Sequence, residues 1–192
     1  HKMKIPDIEK RITYWRYAYS RTALFDAKRW AEALLEDGSK MDASTRAAFV
    51  QAIVISYARP FTKSQVTKSR CIFPMDDIQP QPNLKSVHCD IIDLRNQLFG
   101  HKDGTVKDTN GLELNRVILS FDSDGFDLYT IVPQDIDEVQ LVTIIELCTH
   151  FIDEVQRRLS PLRSLLSEHD CPKQGAYALQ ISSDELISLD QI

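Results

Sequence analysis

"NLKSVHCDIIDLRNQLFGH", residues 83–101, decides the fold. Leu84, Val87, Ile91, Leu94 and Leu98 step by 3, 4, 3 and 4 residues, the spacing that lines one face of a helix. Asn83 stands where an N-cap is wanted, and Gly100 where a helix stops. The stretch predicts a helix over 83–99, followed by a polar turn region, "HKDGTVKDTNG". A helix with one apolar seam needs partners to bury it.

The flanking sequence supplies them. A first helix is expected from about Asp7 to Leu35, behind Pro6. Ile5, Ile8, Ile12, Trp15 and Tyr19 mark one face of it, and Trp30 and Leu34 extend that face. "EDGSKMD" (36–42) ends it at Gly38, with Asp42 or Ser44 as the next cap. "STRAAFVQAIVISYA" (44–58) is nearly apolar on all sides from Ala47 to Tyr57 and predicts a central helix. Arg59-Pro60 ends it, and a loop holding Pro60, Pro74, Pro80 and Pro82 follows; loops of such length are often functional.

Beyond residue 111, two β-branched and aromatic runs flank "DSDG", a hairpin signal over about 113–132. A last long helix is expected after Pro133, over about 135–168. Ile136, Val139, Val142, Ile145, Cys148, Ile152, Val155 and Leu159 would form its core face. Pro161 would kink it or split off a short final helix. The expected fold is mainly all-α: an antiparallel up-down bundle of four to five helices over 3–168, with a β-hairpin inserted before the last long helix. Residues 169–192 read as a C-terminal extension.

The 192 residues, 43% hydrophobic and 27% charged, suit one globular domain with a sizeable core. No apolar run approaches the roughly 18 residues of a membrane span. "HKMKIPDIEK" lacks the apolar core of a signal peptide, and His1 and Lys2 are assigned no function. Cys71, Cys89, Cys148 and Cys171 form no C-x-x-C pair. That argues for free thiols in a reducing cytoplasm and against structural zinc or a disulfide framework.

The net charge of −5 is uneven. Residues 1–29 carry eight Lys/Arg against three Asp/Glu, and residues 121–192 carry four against fourteen. A polyanion would have to use local basic surface; alternatively, the two ends neutralise each other on packing.

Arg95, Asn96 and His101 are the candidate catalytic residues. On a regular helix His101 would lie about 120° around from Arg95 and about 140° from Asn96. Gly100 lets the chain leave helical geometry, so the imidazole can turn back. Such residues suit RNA cleavage without a metal. A histidine can take the proton of a ribose 2′-hydroxyl or protonate the leaving oxygen. An arginine can hold the phosphate and stabilise its transition-state charge. An asparagine amide can orient phosphate or imidazole. One histidine is thin for both proton transfers, and a two-fold dimer would bring two clusters together.

"RNQLFGH" resembles the R-(N/D/H)-x4-H form of the motif of the HEPN superfamily, all-α bundles of toxin–antitoxin, phage-defence and RNA-processing systems. The resemblance covers the motif, its place at the end of a core helix, and the bundle pattern over 7–168. It implies a metal-independent endoribonuclease in stress response or defence, with its site formed across a homodimer. RNA would be the substrate and an antitoxin or another protein a possible partner. By the motif, Arg95, Asn96 and His101 would be catalytic. The hairpin and the acidic last third depart from the family's minimal pattern. Many members do not catalyse, so a non-catalytic module that binds a protein partner or a nucleotide stands as the alternative.

Ordinary helix-end chemistry is the plainer reading of the same residues. Arg95 would snorkel from the core edge and His101 would meet the last carbonyls. Arg59, Lys63, Lys68 and Arg70, with no acid among residues 59–70, and Lys102 are either a solvated surface or an RNA path. Glu146, His150 and Glu154 share a helix face, but di-iron bundles draw Glu-x-x-His from paired helices, and this chain has a single Glu-x-x-x-His. No metal and no cofactor is expected. His88-Cys89-Asp90 is weak as a site because helix neighbours diverge. Tyr14, Trp15, Tyr17 and Tyr19 read as core and dimer contacts rather than a base-stacking platform. No glycine-rich phosphate loop appears.

Overall fold

The computed structural model describes residues 8–62, 78–96, 117–122, 125–130, 136–168, 177–179 and 186–188, and most of these are helical. Among them are α1 (Ile8–Asp37), α2 (Ala43–Ala58), α3 (Lys85–Leu94) and α4 (Glu138–Glu168). The protein is thus mainly all-α. Strand β1 (Val117–Asp122) pairs antiparallel with β2 (Gly125–Thr130), and β3 (Tyr177–Leu179) with β4 (Leu186–Ser188). Gly125 sits opposite Asp122 with φ 144°, a conformation that side chains with a Cβ rarely adopt. Clustering of contacts gives two compact units, one within His1–Phe25, Arg59–Gln79 and Thr149–Ile192, the other within Asp26–Ala58 and Pro80–Cys148.

In the second unit, α1 buries Ala27, Ala31 and Leu34, and α2 buries Val50, Ile53, Val54, Tyr57 and Ala58. Asp42 caps α2. Its Oδ1 accepts the N–H groups of Ser44 and Thr45, both at 2.9 Å, and Oδ2 accepts the Thr45 hydroxyl at 2.7 Å. Those bonds, led by the Thr45 hydroxyl, hold the Asp42 carboxyl below the usual carboxylate range. Gly38 opens the 3₁₀ turn Gly38–Lys40 after α1. Its bare Cα makes room: an added Cβ would lie 2.6 Å from Arg46 Nη1. Arg46 donates to the Ile136 carbonyl at 3.3 Å and so ties α2 to the start of α4.

In the first unit, α1 buries Tyr17, Ser20, Ala23 and Leu24, and α4 buries Phe151, Ile152 and Val155. Arg158 donates to the Tyr17 hydroxyl at 3.2 Å, and Arg21 to Gln156 Oε1 at 3.0 Å. The two helices therefore run antiparallel there. Phe61, from the 3₁₀ turn Arg59–Phe61 that ends α2, packs edge-on against Phe151 at 4.9 Å.

Three expectations need correction. On α1 the buried stripe is not the aromatic one, because Trp15 and Tyr19 are 39% and 42% exposed and Ile12 and Trp30 are half-buried. The small face of Ser20, Ala23, Ala27 and Ala31 lets neighbours approach closely, and dense packing favours it. Ile5 and the Ile8 side chain lie outside the described residues.

On α4, Val139 and Val142 are 76% and 45% exposed and Ile145 is half-buried, while Leu141, Ile144 and Leu147 are buried. The face is turned by one residue, about 100°. The helix starts at Glu138, later than expected, behind a reciprocal capping box. Gln140 N–H donates to Asp137 Oδ1 at 2.8 Å, and Asp137 N–H to Gln140 Oε1 at 3.1 Å. Ile136 and Leu141, at the staple positions around that box, are both buried and set the phase. From Cys148 onward the expected face is kept through Ile152 and Val155, and α4 runs through Pro161 as one helix.

On α3, Asn83 is not the cap. Pro82 starts a 3₁₀ turn, Pro82–Leu84, and Leu84 precedes α3 with no side-chain cap. Proline favours the first helical position, so the turn begins one residue before Asn83 can serve.

Candidate functional site

Helix α3 docks by its middle. Leu84 and Ile91 are buried, and Val87 and His88 are half-buried. The fully buried Tyr57 of α2 donates its hydroxyl to His88 Nδ1 at 2.8 Å, and the two rings meet edge-on at 5.9 Å. This assignment leaves the proton of a neutral imidazole on Nε2. Burial lowers the pKa of His88, which keeps it neutral. Burial raises that of Tyr57 far out of the working range, with the nearby Cys148 and Cys89 adding to the effect. The Cys148 thiol, itself buried, is pushed up to about 12. A neutral phenol, imidazole and thiol make a structural polar knot, not a nucleophile with its base. Sequence reasoning missed the Tyr57–His88 contact, because no spacing rule links residues on either side of a long loop.

The α-helix ends at Leu94, and Arg95 and Asn96 continue it as a wider, π-type turn. The Arg95 N–H is shared between the carbonyls of Ile91 and Ile92. Such turns recur at functional sites because they redirect side chains without ending the helix. Arg95 Nη1 donates to Asn96 Oδ1 at 3.0 Å, and both side chains are half-buried. A guanidinium has donors alone, so the bond fixes which way the amide points and turns its NH₂ outward from the pair. Among the described residues, Arg95 makes no ion pair. Among the described residues its side-chain partner is the neutral Asn96 amide.

Two of the three motif residues are thus joined. His101 lies outside the described residues, as do Lys63, Lys68, Arg70 and Lys102. Arg59 is exposed, and its carbonyl accepts the N–H and hydroxyl of Thr62. On α3, His88 precedes Arg95 by seven residues, which places it on the same face but about 10 Å back along the axis. Its Nδ1 is already engaged by the Tyr57 hydroxyl.

Two of the Glu146/His150/Glu154 set are otherwise engaged, and Glu146 is exposed. Glu154 pairs with Arg157 and with Arg158, the latter at 3.1 Å, and His150 Nε2 donates to the Gln79 carbonyl at 3.0 Å. Among the described residues, no group of three His, Cys, Asp or Glu is placed to hold a metal, and no helix is long and apolar enough to cross a membrane. Comparison of the chain with protein-family models, with curated proteins and with solved structures finds no match.

Proposed function

We propose that this chain is a metal-independent endoribonuclease of HEPN type, acting as a cytoplasmic homodimer in stress response or defence. The observation that carries the reading is the Arg95–Asn96 pair, joined side chain to side chain at the widened end of α3 and free of a carboxylate partner among the described residues. Arg95 supplies the bidentate cation for a scissile phosphate, and the outward Asn96 amide orients it. His101 takes the 2′-hydroxyl proton, the 2′-oxygen attacks phosphorus, and the bond to the 5′-oxygen breaks. The histidine of the second protomer returns a proton to that leaving oxygen. Lys102 and, separately, Arg59, Lys63, Lys68 and Arg70 are the candidate RNA contacts.

The test is cleavage of single-stranded RNA by His101→Ala and Arg95→Lys variants that keep wild-type helicity and sedimentation. His101→Ala should lose at least about 100-fold in rate, since general acid–base catalysis contributes about 10²–10⁴, and Arg95→Lys about 100-fold, the scale of losing one donor to transition-state charge. Chelators should leave wild-type cleavage unchanged. Undiminished cleavage by His101→Ala, or full dependence on added Mg²⁺, overturns the reading and leaves the non-catalytic binding module in its place.

A further inference from the structure

Helix α3 is lightly held. It is ten residues long, and helices shorter than about 12 residues are marginal in water without packing. It has no side-chain N-cap, and Ile91 is its one buried residue, with Leu84 buried just ahead of it. Lys85, Ser86, Cys89, Asp90 and Asp93 are exposed. The Tyr57 hydroxyl ties the helix to α2 through His88 Nδ1 at 2.8 Å, and Arg95 and Asn96 follow about two turns later.

That tie can be titrated. A proton on Nδ1 takes up the lone pair that accepts the bond. Tyr57 is fully buried, so its hydroxyl proton would need a new acceptor inside the core, while a positive charge sat half-buried beside it. From α2 the Tyr57 phenol faces the imidazole, and the Cys148 thiol of α4 lies near that phenol. On α3 itself Lys85 stands one turn back, about 60° around, and Cys89 adjoins His88. Asp90 and Asp93 lie about 160° and 140° around the helix, on its exposed side. Burial already holds the imidazole below its ordinary pKa.

We propose that the Tyr57–His88 contact is a pH-sensitive latch: protonation of His88 releases α3 from α2, and the Arg95–Asn96 pair goes with it. The released helix leaves the imidazole in water, where it takes its proton at the ordinary value of about 6.5. Acid therefore favours the released state, and the latch closes again as the pH rises. Release is local: α3 opens before the core helix it docks on, as weakly packed elements do. The latch rests on the ribonuclease reading only for what it controls, the cation set against the phosphate.

The experiment is amide hydrogen exchange of the full chain by NMR at about pH 7.5 and about pH 5.5, either side of the ordinary imidazole pKa, with rates corrected for intrinsic exchange. Amides 89–94 of α3 should be less protected than amides 53–57 of α2 at both values. Protection of α3 should fall on acidification by up to about tenfold, since a released imidazole is about nine-tenths protonated at about pH 5.5. His88→Gln keeps an acceptor for the Tyr57 hydroxyl and has no proton to take up, so its α3 protection should stay level.

Wild-type α3 protection that ignores acid overturns the latch. So does an equal fall in His88→Gln, or α3 amides as protected as those of α2, for the helix then opens only with the whole core. The two readings fail separately. His101-dependent cleavage with acid-insensitive α3 protection removes the latch alone, and acid release without His101-dependent cleavage removes the ribonuclease alone.

Discussion

The Tyr57–His88 bond ties α3 to α2, and its contribution should depend on pH in a stated direction. Tyr57 is fully buried and donates to a half-buried imidazole. Tyr57→Phe removes the donor and strands Nδ1. The loss should be about 1–2 kcal/mol at about pH 8, the scale of a hydrogen bond whose surviving partner stays largely out of water. The pKa of His88 in the folded chain lies below its ordinary value because burial penalises the imidazolium. As pH falls through about 6.5, the unfolded chain takes up a proton that the folded chain refuses. Stability therefore falls, and the fall ends once the pH drops below the folded-state value. Tyr57 itself stays protonated throughout, so the slope belongs to His88. His88→Gln keeps an acceptor for the Tyr57 hydroxyl and has no proton to take up. Urea unfolding followed by circular dichroism, at about pH 8 and about pH 5.5, measures all three proteins. Wild type should lose more stability between the two conditions than His88→Gln. Equal losses would refute the argument, because they would show that no buried neutral imidazole is linked to folding.

Two further outcomes follow from the packing. Ile144→Ala should cost about 2–4 kcal/mol in a chemical denaturation while Val142→Ala stays within about 0.5, since the former is buried and the latter exposed; the reverse order would restore the valine face to the core. Gly38→Ala should cost about 1 kcal/mol, because the new Cβ displaces Arg46 from the Ile136 carbonyl while the less flexible unfolded chain returns part of that loss. In an Arg46→Met background the same substitution should become neutral or stabilising, as measured by the shift in unfolding midpoint.

The class of the fold was legible because helix periodicity survives without any knowledge of partners. The ends and phases were less so. Asp42 was readable as a cap, since a carboxylate before an apolar run has one obvious use. The box at Asp137 and Gln140 was equally visible in "DEVQ" and would have placed the start of α4 correctly. Two apolar stripes compete at the head of that helix, and only the cap and its buried flanks decide between them. On α1 the pattern of large residues misled, because a helix can pack more closely through serine and alanine than through tryptophan. The contact between Tyr57 and His88 was beyond periodicity altogether, being a property of how two helices meet.

The candidate site sharpens where charge is counted with its partner. Arg157 and Arg158 face the same carboxylate, Glu154, and Arg158 also reaches Tyr17. Their positive charge is largely spent in holding α4 and α1. Arg95 is bonded to an amide oxygen instead, which orders the guanidinium without cancelling its charge. Its stem is half-buried beside Leu94, so the head group gives up little freedom when an anion arrives. Arg95 donates to Asn96 in the turn that widens at the end of α3. The helix end therefore joins a cation and an amide side chain to side chain, and the proposed phosphate contact rests on that pair.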